Sequence, residues 1–247
     1  MVKIIEQPDG RFVLVSSVTD FCGSMGYCEF RIKHLLKGIK PPPTELSIAG
    51  TKAHEKEEEY EKEHVTFEPL TQEKLIDSKK DLEFARESVF TRYETTLGLG
   101  DSDLRVLLFG KADKIMRNGE MLIVEDSKYS MNASRYLNRN SPYESQKMQT
   151  LVYVNSQFSE NTSFGSDDWF DIPHKEKVWR INIKDPDTGE SVRLFEGIQT
   201  KNDKEILDSR IARFGSIALN IVDPHHHGST KKCFSCRFSG CCEYIIE

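Results

Sequence analysis

The placement of the cysteines constrains the fold of this sequence more than any other feature. Cys233, Cys236 and Cys242 form a Cys-x2-Cys-x5-Cys group near the end of the chain, one thiol short of the four that zinc and iron–sulfur centres take. The fourth thiol must come from Cys22 or Cys28, about 200 residues upstream. Such a centre closes a very long loop, so we expect it to be structural and to tie the first segment of the fold to the last.

Composition and charge exclude several classes of protein. Of the 247 residues, 30% are charged and 37% are hydrophobic, which excludes collagen-like, mucin-like and fully disordered chains. The sequence has no run of about 18 apolar residues and no apolar signal region, so we expect a soluble cytoplasmic protein with no membrane partner, in which cysteines bind metal rather than form disulfides. The net charge of −6 gives no general attraction to nucleic acid, but eight of the 40 acidic residues lie between Glu45 and Glu68, which leaves the remainder closer to neutral.

Hydrophobic periodicity and turn residues predict an alternating set of helices and strands. A capped helix and a second short helix are predicted within residues 16–38, and an amphipathic helix is predicted from Leu207 to the stop at Asp223-Pro224. The other predictions are, in chain order, helices at 47–65 and 73–92, strands at 104–116 and 120–126, a helix at 142–157, a turn-rich segment at 158–176, and strands at 177–184 and 191–196.

A predicted β-hairpin gathers charged side chains at one end. Asn118-Gly119 is a strong signal for a two-residue hairpin turn, and with these turn residues Asp113 lies opposite Val124. Strand alternation then places Asp126 on the same face as Asp113, as its diagonal neighbour about 7 Å away, while Glu125 points to the other face. Two carboxylates at that separation can bind one divalent cation.

Each of these residues also has an ordinary structural interpretation. The acidic residues and Lys128 could form a simple ion pair at a strand end. His54 lies in a very polar helix and could hydrogen-bond a neighbouring glutamate. Gln149 and Tyr153 are one helical turn apart and could form a half-buried amphipathic face.

Four short motifs, taken together, resemble one enzyme family. Gly110-Lys111-Ala112-Asp113 followed by Ile123 to Lys128 resembles the split Asp…(Asp/Glu)-x-Lys core of PD-(D/E)XK nucleases. Gly50 to His54 resembles the Gly-x-x-x-His helix of the RecB-like branch, and Gln149 to Tyr153 resembles its Gln-x-x-x-Tyr helix. With the cysteine pattern, the chain is most similar to the CRISPR-associated RecB-like exonucleases, the fourth Cas protein family.

The resemblance implies a fold and a domain layout. The fold is α/β and restriction-endonuclease-like, with a mixed central sheet flanked by helices. Residues 1–247 would form a single nuclease domain, with a nuclease core at 47–200. Residues 16–38 and 223–247 would form a subregion that binds an iron–sulfur cluster.

The resemblance also implies roles for individual residues. His54, Asp113, Asp126 and the backbone carbonyl of Ser127 would bind Mn²⁺ or Mg²⁺. Lys128 would orient or deprotonate the attacking water or stabilise the transition state. Gln149 and Tyr153 would contact the substrate strand and brace Lys128.

A [4Fe-4S] cluster is the cofactor that the resemblance implies for the cysteines. Cys28-Glu29-Phe30-Arg31 matches the family's Cys-x-x-Arg segment, so the ligands would be Cys28, Cys233, Cys236 and Cys242, with Cys22 and Cys241 left over. Zinc is the alternative, because four thiolates suit both metals. His225, His226 and His227 are expected to form an exposed loop rather than another metal site.

The implied activity is that of a metal-dependent DNA exonuclease. It would act on single-stranded DNA ends and process DNA for CRISPR spacer acquisition, with the CRISPR adaptation integrase complex as a partner. One alternative is a repair or recombination exonuclease of the same fold, similar to exonuclease V. Another is a non-catalytic cysteine-cluster module that binds nucleic acid or a protein.

Overall fold

The computed structural model describes residues 2–64, 84–99, 102–132, 134–159 and 169–246. The described strands are β1 Val2–Glu6, β2 Phe12–Ser17, β3 Phe84–Leu99, β4 Ser102–Asn118, β5 Met121–Tyr129, β6 Gln157–Ser159, β7 Glu176–Lys184 and β8 Ser191–Ile198. The described helices are α1 Val18–Gly26, α2 Arg31–Leu36, α3 Glu45–His64, α4 Ser134–Leu137, α5 Glu144–Val154, α6 Lys201–Ala218 and α7 Thr230–Phe234, followed by a 3₁₀ turn at Ser239–Cys241.

The chain divides into two compact units. The first contains Met1–Pro42, Tyr93–Gly110 and Lys201–Glu247, and the second contains Pro43–Arg92 and Lys111–Thr200. Strands β3 and β4 each contribute residues to both units. The predicted division into one domain with a nuclease core and a cluster subregion stays a prediction.

In the first unit, a small mixed sheet is covered by helices. β1 pairs antiparallel with β2, and β2 pairs parallel with the first part of β4. The helix α1 begins at Ser17, whose side-chain oxygen accepts a hydrogen bond from the backbone N–H of Asp20 at 3.0 Å. Helices α1 and α6 meet at Phe21 and Phe214, whose fully buried rings pack edge to face at 5.2 Å.

The helix α6 ends earlier than its sequence pattern predicts. It stops at Ala218 rather than at the Asp223-Pro224 pair. Asn220 adopts a φ of 59°, and the amide of Ile221 returns to the carbonyl of Ser216 at 2.8 Å. Asn tolerates this left-handed conformation, which closes a helix C-terminus without needing proline.

In the second unit, a mixed sheet carries the remaining elements. The second part of β4 pairs antiparallel with β5, β5 pairs parallel with β7, and β7 pairs antiparallel with β8. Helix α5 packs on β5 and β7, α3 packs on β5, and α4 packs on β8. The prediction of a mixed α/β fold with helices flanking a mixed sheet is confirmed.

The helix predicted at 73–92 is wrong where the structure describes it. Residues 65–83 lie outside the described residues, and from Phe84 the chain forms the strand β3. Val89, Thr91 and Tyr93 are buried while their neighbours are more exposed, which is the alternation of a strand rather than of a helix. β-branched and aromatic residues favour that conformation.

The other predicted elements agree with the structure in type and differ at their ends. The helix predicted at 142–157 is α5, which is shorter, because residues from Gln157 form β6 and pair with β3. Nearly half of the turn-rich segment at 158–176, residues 160–168, lies outside the described residues. Within the described ranges, no helix has the length and apolar content needed to cross a membrane.

Candidate active site

The hairpin between β4 and β5 has a different register from the predicted one. Asn118 pairs with Met121, so the two loop residues are Gly119 and Glu120 rather than Asn118 and Gly119. Gly119 takes the positive φ of 55° that this loop needs, and Asn118 stays in the strand. The register is therefore shifted by two residues, which leaves the predicted face of every side chain unchanged.

The shift brings Asp113 opposite Asp126 instead of opposite Val124. The last paired residues are Lys114 and Glu125, and one step further along the two strands are Asp113 and Asp126. Oδ2 of Asp113 accepts a 2.8 Å hydrogen bond from the backbone N–H of Ser127. Because the N–H and C=O of one strand residue point to the same side, the carbonyl of Ser127 also lies on the Asp113 side of β5.

Asp126 is the most buried charged group of this site, with 1% of the residue exposed. Its Oδ1 accepts a 3.0 Å hydrogen bond from Nε2 of Gln149, and its Oδ2 lies 2.7 Å from the ammonium of Lys128. That distance is a close ion pair, so both oxygens of the buried carboxylate have a partner. Burial, together with the charge of Asp113, raises the pKa of Asp126 to about 6, although Lys128 and His54 act in the opposite direction.

Gln149 connects the charged residues to the helix α5. Its Nε2 donates to Asp126 and also to the hydroxyl of Tyr153 at 3.0 Å, while its Oε1 accepts from Lys128 at 3.2 Å. Because the amide donates on one side and accepts on the other, its orientation is defined by its partners. Tyr153, one turn further along α5, is buried. The two residues of the Gln-x-x-x-Tyr motif therefore act on Asp126 and Lys128 as one hydrogen-bonded unit.

His54 approaches the same group from the helix α3. Its ring packs edge to face on Tyr129 at 4.9 Å, directly after Lys128 on β5. Its charge contributes to lowering the pKa of Asp126, so it lies within electrostatic range of that carboxylate. The structure thus brings together the predicted residues on β4, β5, α3 and α5: His54, Asp113, Asp126, Ser127, Lys128, Gln149 and Tyr153.

Glu125 points away from this group, as its position in the strand predicts. Its Oε1 accepts a 3.2 Å hydrogen bond from Nδ2 of Asn182, and its Oε2 lies 3.5 Å from Arg180. Both partners are on β7, and Arg180 also pairs with Glu196 on β8. Glu125 therefore belongs to an ion-pair network on the other face of the sheet.

In the first unit, cysteines from both ends of the chain are near enough to influence one another electrostatically. Burial raises the pKa of the Cys28 thiol, and the neighbouring Cys236, Cys242 and Cys233 raise it further. Burial likewise raises the pKa of Cys242, with contributions from Cys236, Cys233 and Cys241. All six cysteines are free thiols rather than disulfides. Four thiolates suit zinc or an iron–sulfur centre, but among the described residues no three cysteine sulfurs lie within 4.8 Å of one another.

Two histidines, which the sequence interpretation assigned to an exposed loop, lie beside this group. His226 and His227 are half-buried, and their ligand atoms and Sγ of Cys233 lie within 4.8 Å of one another, a spacing that could hold a metal ion. The expected exposed loop is correct for His225 only. The sequence signal that could have indicated this is the short distance, seven residues, between His226 and Cys233.

The hydrogen bonds of His226 define which of its nitrogens carries the proton. Nδ1 accepts the backbone N–H of Gly228 at 3.0 Å, so in the neutral ring the proton is on Nε2. Nε2 lies 3.6 Å from Sγ of Cys233 and therefore donates to it. A metal ion could bind Nε2 only after the proton had left that nitrogen. With its present hydrogen bonds the ring is a donor to the thiol.

Comparison with known proteins gives similarity in solved structures alone. No protein-family model and no curated protein matches the sequence. A crystal structure of the protein SSO0001 aligns with a TM-score of 0.49 at 17% identity, covering 94% of this chain and 88% of that chain. A crystal structure from Eubacterium rectale, named "Putative exonuclease", aligns with a TM-score of 0.44 at 13% identity, covering 94% of this chain and 90% of that chain.

Proposed function

We propose that the chain is a metal-dependent deoxyribonuclease of the PD-(D/E)XK type. The observation that carries this proposal is the placement of Asp113, Asp126 and Lys128 around one point, with Gln149 bridging the last two. Two carboxylates and a lysine in this arrangement suit phosphodiester hydrolysis, which needs negative charge on the phosphate to be stabilised and a water to be oriented.

The donor set of this site fits a divalent cation. Oδ2 of Asp126 is buried and lies 2.7 Å from the ammonium of Lys128, so a cation bound to this carboxylate would lie beside that ammonium. Asp113, Asp126, the carbonyl of Ser127 and His54 would hold Mn²⁺ or Mg²⁺, since carboxylate and carbonyl oxygens suit both ions. The bound cation would supply Lewis-acid stabilisation of the charge that builds on the phosphate.

Gln149 positions the ammonium of Lys128 in this site. Gln149 accepts a hydrogen bond from Lys128 and donates one to Asp126, so it holds the ammonium beside the carboxylates. From there the ammonium can donate to a water or to a phosphate oxygen. We assign Lys128 the catalytic role, and Gln149 and Tyr153 the roles of positioning it and contacting the substrate strand.

The resemblance in the motifs leads to a more specific substrate and context. We propose exonucleolytic action on single-stranded DNA ends during CRISPR spacer acquisition, alongside the adaptation integrase complex. A gene for a CRISPR integrase beside the gene for this chain would support that context. Recombination genes in that position would instead favour a repair exonuclease.

The test is a cleavage assay with matched variants. Anaerobically purified protein is incubated with Mn²⁺ and end-labelled linear single-stranded DNA, circular single-stranded DNA or duplex DNA. Degradation of the linear single strand alone, lost in Asp113→Asn and Lys128→Met and kept in Glu125→Gln, supports an exonuclease with this site. Inactive wild-type protein, or equal cleavage by Asp113→Asn, contradicts the proposal and favours a non-catalytic module.

A [4Fe-4S] cluster is the cofactor that we propose for the four neighbouring cysteines. Cys28, Cys233, Cys236 and Cys242 would hold it, and the electrostatic coupling among their thiols supports that ligand set. Protein purified without oxygen should be brown and contain about four irons per chain. Cys28→Ser should lose the iron, while the control Cys241→Ser should keep it. Colourless protein with one zinc would overturn the iron assignment.

A further inference from the structure

A cavity of about 380 Å³ opens in the second unit beside the candidate active site. It is lined by Tyr129, Tyr136 and Tyr143, together with Arg135, Asn132 and Gly50. Its volume is within the range of about 300–1,000 Å³ that small-molecule sites occupy. No function assigned above uses this cavity.

The cavity is lined by neighbours of the proposed catalytic residues rather than by those residues themselves. Tyr129 directly follows Lys128 and packs against His54. Burial raises the pKa of Tyr136, and the nearby charge of Lys128 is the smallest of the effects that oppose the rise. The hydroxyl of Tyr136 accepts a 3.1 Å hydrogen bond from Gln146 on α5. A ligand in the cavity would therefore lie in the neighbourhood of His54 and Lys128.

The walls have the chemistry of a site for a flat aromatic ring attached to an anion. Tyr136 and Tyr143 pack edge to face at 5.5 Å, and 41% of Tyr143 is exposed. The guanidinium of Arg139 lies over the Tyr143 ring at 4.1 Å, so a base would stack on the face that Arg139 leaves open. Arg135 supplies a positive charge, and none of the described residues that line the cavity is acidic. Aromatic stacking beside a cation, with hydroxyl and amide groups at the edge, is how proteins bind unpaired nucleobases.

Gly50 keeps the cavity open on the side of α3. A Cβ added at this position would meet no other atom within 4 Å, so a side chain there would extend into free space. Gly50 lies one helical turn before His54, on the same side of the helix. A large side chain at 50 would therefore occupy the cavity without having to displace a neighbour of its Cβ.

We propose that this cavity binds one unpaired nucleobase of the substrate strand, next to the scissile phosphate. The proposal rests on the proposed nuclease function and adds a reason for it to prefer single strands. A base in a duplex is stacked and paired, so it cannot enter a side cavity without first being unpaired. An unpaired base enters without that cost.

The experiment measures DNA binding in the absence of divalent metal, so that no cleavage occurs. Full-length wild-type protein and variants are titrated with a fluorescent single-stranded oligonucleotide, and with a duplex of the same sequence. Tyr143→Ala should weaken single-strand binding by about 5-fold to 150-fold, the range for losing one stacked base, and leave duplex binding unchanged. Tyr143→Phe keeps the ring and should bind as wild type does.

A second matched pair tests the cavity without removing a ring. Gly50→Ala should bind as wild type does, whereas Gly50→Trp should bind single strands at least about 5-fold more weakly, because its side chain fills the space. 2-Aminopurine placed along the oligonucleotide should change its fluorescence at one position in wild type and not in Gly50→Trp. Circular dichroism verifies that each variant is folded.

The outcomes separate this inference from the proposed function. Unchanged single-strand affinity in both Tyr143→Ala and Gly50→Trp overturns the cavity as a base site, even if wild-type protein cleaves DNA. Equal losses for single strands and duplex also overturn it, since they indicate a general phosphate contact. Wild-type protein that binds a base here but cleaves no substrate with Mn²⁺ contradicts the nuclease and keeps the cavity.

Discussion

Asp113 accepts a 2.8 Å hydrogen bond from the backbone N–H of Ser127, across the open end of the β4–β5 hairpin. This bond holds the carboxylate of one strand to the backbone of the next, and it uses one of the two oxygens of Asp113. The proposed metal-binding charge and a local structural contact are therefore combined in a single side chain, and the two can be separated by substitution.

We expect Asp113→Asn and Asp113→Ala to be equally inactive but unequally stable. Both lose the charge that would bind metal, whereas only the alanine leaves the N–H of Ser127 without its acceptor. Ser127 is buried, so Asp113→Ala should lose about 1–3 kcal/mol of unfolding free energy relative to Asp113→Asn. Urea denaturation of metal-free protein measures the difference. Equal stability would indicate that water replaces the carboxylate.

The adjacent acidic residues Glu125 and Asp126 should respond differently to removal of their charge. Loss of a group that merely supports a metal ligand typically costs about 10-fold to 100-fold in activity, so Asp126→Asn should lose more than about 100-fold. Glu125→Gln keeps an acceptor for Asn182 and should stay within about 2-fold of wild type. The comparison is made by initial cleavage rates with Mn²⁺. If Glu125→Gln were inactive, the proposed metal site would have been placed on the wrong face of β5.

Substitution of Gln149 should lower activity without removing a ligand. Gln149→Leu leaves Lys128 and Asp126 without their shared partner, and we expect a loss of about 10-fold to 100-fold in kcat. Mn²⁺ affinity, measured by calorimetry, should weaken in parallel because Asp126 is no longer oriented. Tyr153→Phe removes an acceptor of Gln149 but leaves the amide in place, and it should have a smaller effect. A larger effect for Tyr153→Phe would give the tyrosine hydroxyl the more direct role.

The raised pKa of Asp126 predicts how pH and metal act on stability. In metal-free protein the folded state binds a proton between the ordinary carboxyl pKa of 3.8 and about 6, whereas the unfolded state does not. Stability relative to Asp126→Asn should therefore fall as the pH rises through that interval and become constant above it. Mn²⁺ binds the ionised carboxylate, so its stabilising effect should increase above about pH 6.

Thermal unfolding of wild type and Asp126→Asn, with Mn²⁺ and with chelator, measures both effects. The variant corrects for any acid sensitivity of the cysteine cluster, because that contribution is common to both proteins. A difference between the two proteins that does not change with pH would contradict the assignment of the titration to Asp126.

Glu29 should stabilise the first unit with the opposite pH dependence. Although burial raises its pKa, two 2.6 Å hydrogen bonds from Arg213 and one from the backbone N–H of His225 lower it below its usual value. Glu29→Gln should cost about 1.5–3 kcal/mol at neutral pH. Because the folded pKa is depressed, this difference should be complete above the ordinary glutamate pKa of about 4.3 and disappear as the pH falls through the folded value.

The matched control for Glu29 is Glu94→Gln, which removes an exposed ion pair with Arg105. That substitution should cost less than about 1 kcal/mol. Chemical denaturation at several pH values gives both numbers. Equal costs would show that burial adds nothing to the Glu29 pair.

The features that could be predicted from the sequence depend on short-range chemistry. Alternation along β4 and β5 predicts which carboxylates share a face, and it stays correct when the register moves by two, because the period of a strand is two. The register itself was mispredicted. The assumed turn at Asn118-Gly119 needs a positive φ at both residues, whereas of these two only Gly119 has one. Ser17 as a helix cap is similarly local.

The features that the sequence did not predict depend on contacts between distant segments. The strand β3 was mispredicted as a helix, since its charged residues obscure the alternation of Val89, Thr91 and Tyr93. The proximity of His226 to Cys233 depends on how the loop folds back, with the backbone N–H of Gly228 donating to Nδ1 of His226. The tyrosine cavity combines a strand, a short helix and a helix start, which no local pattern relates.

The clamp formed by Glu29, Arg213 and His225 has a consequence for assembly. It holds the residue next to Cys28 and the residue next to His226 in place through protein contacts alone. The binding site for the proposed cofactor would then already be formed in the metal-free protein. The proposed cofactor would bind to a preformed site. A chelator should therefore remove the metal without unfolding the protein, whereas small zinc domains unfold when their metal is removed.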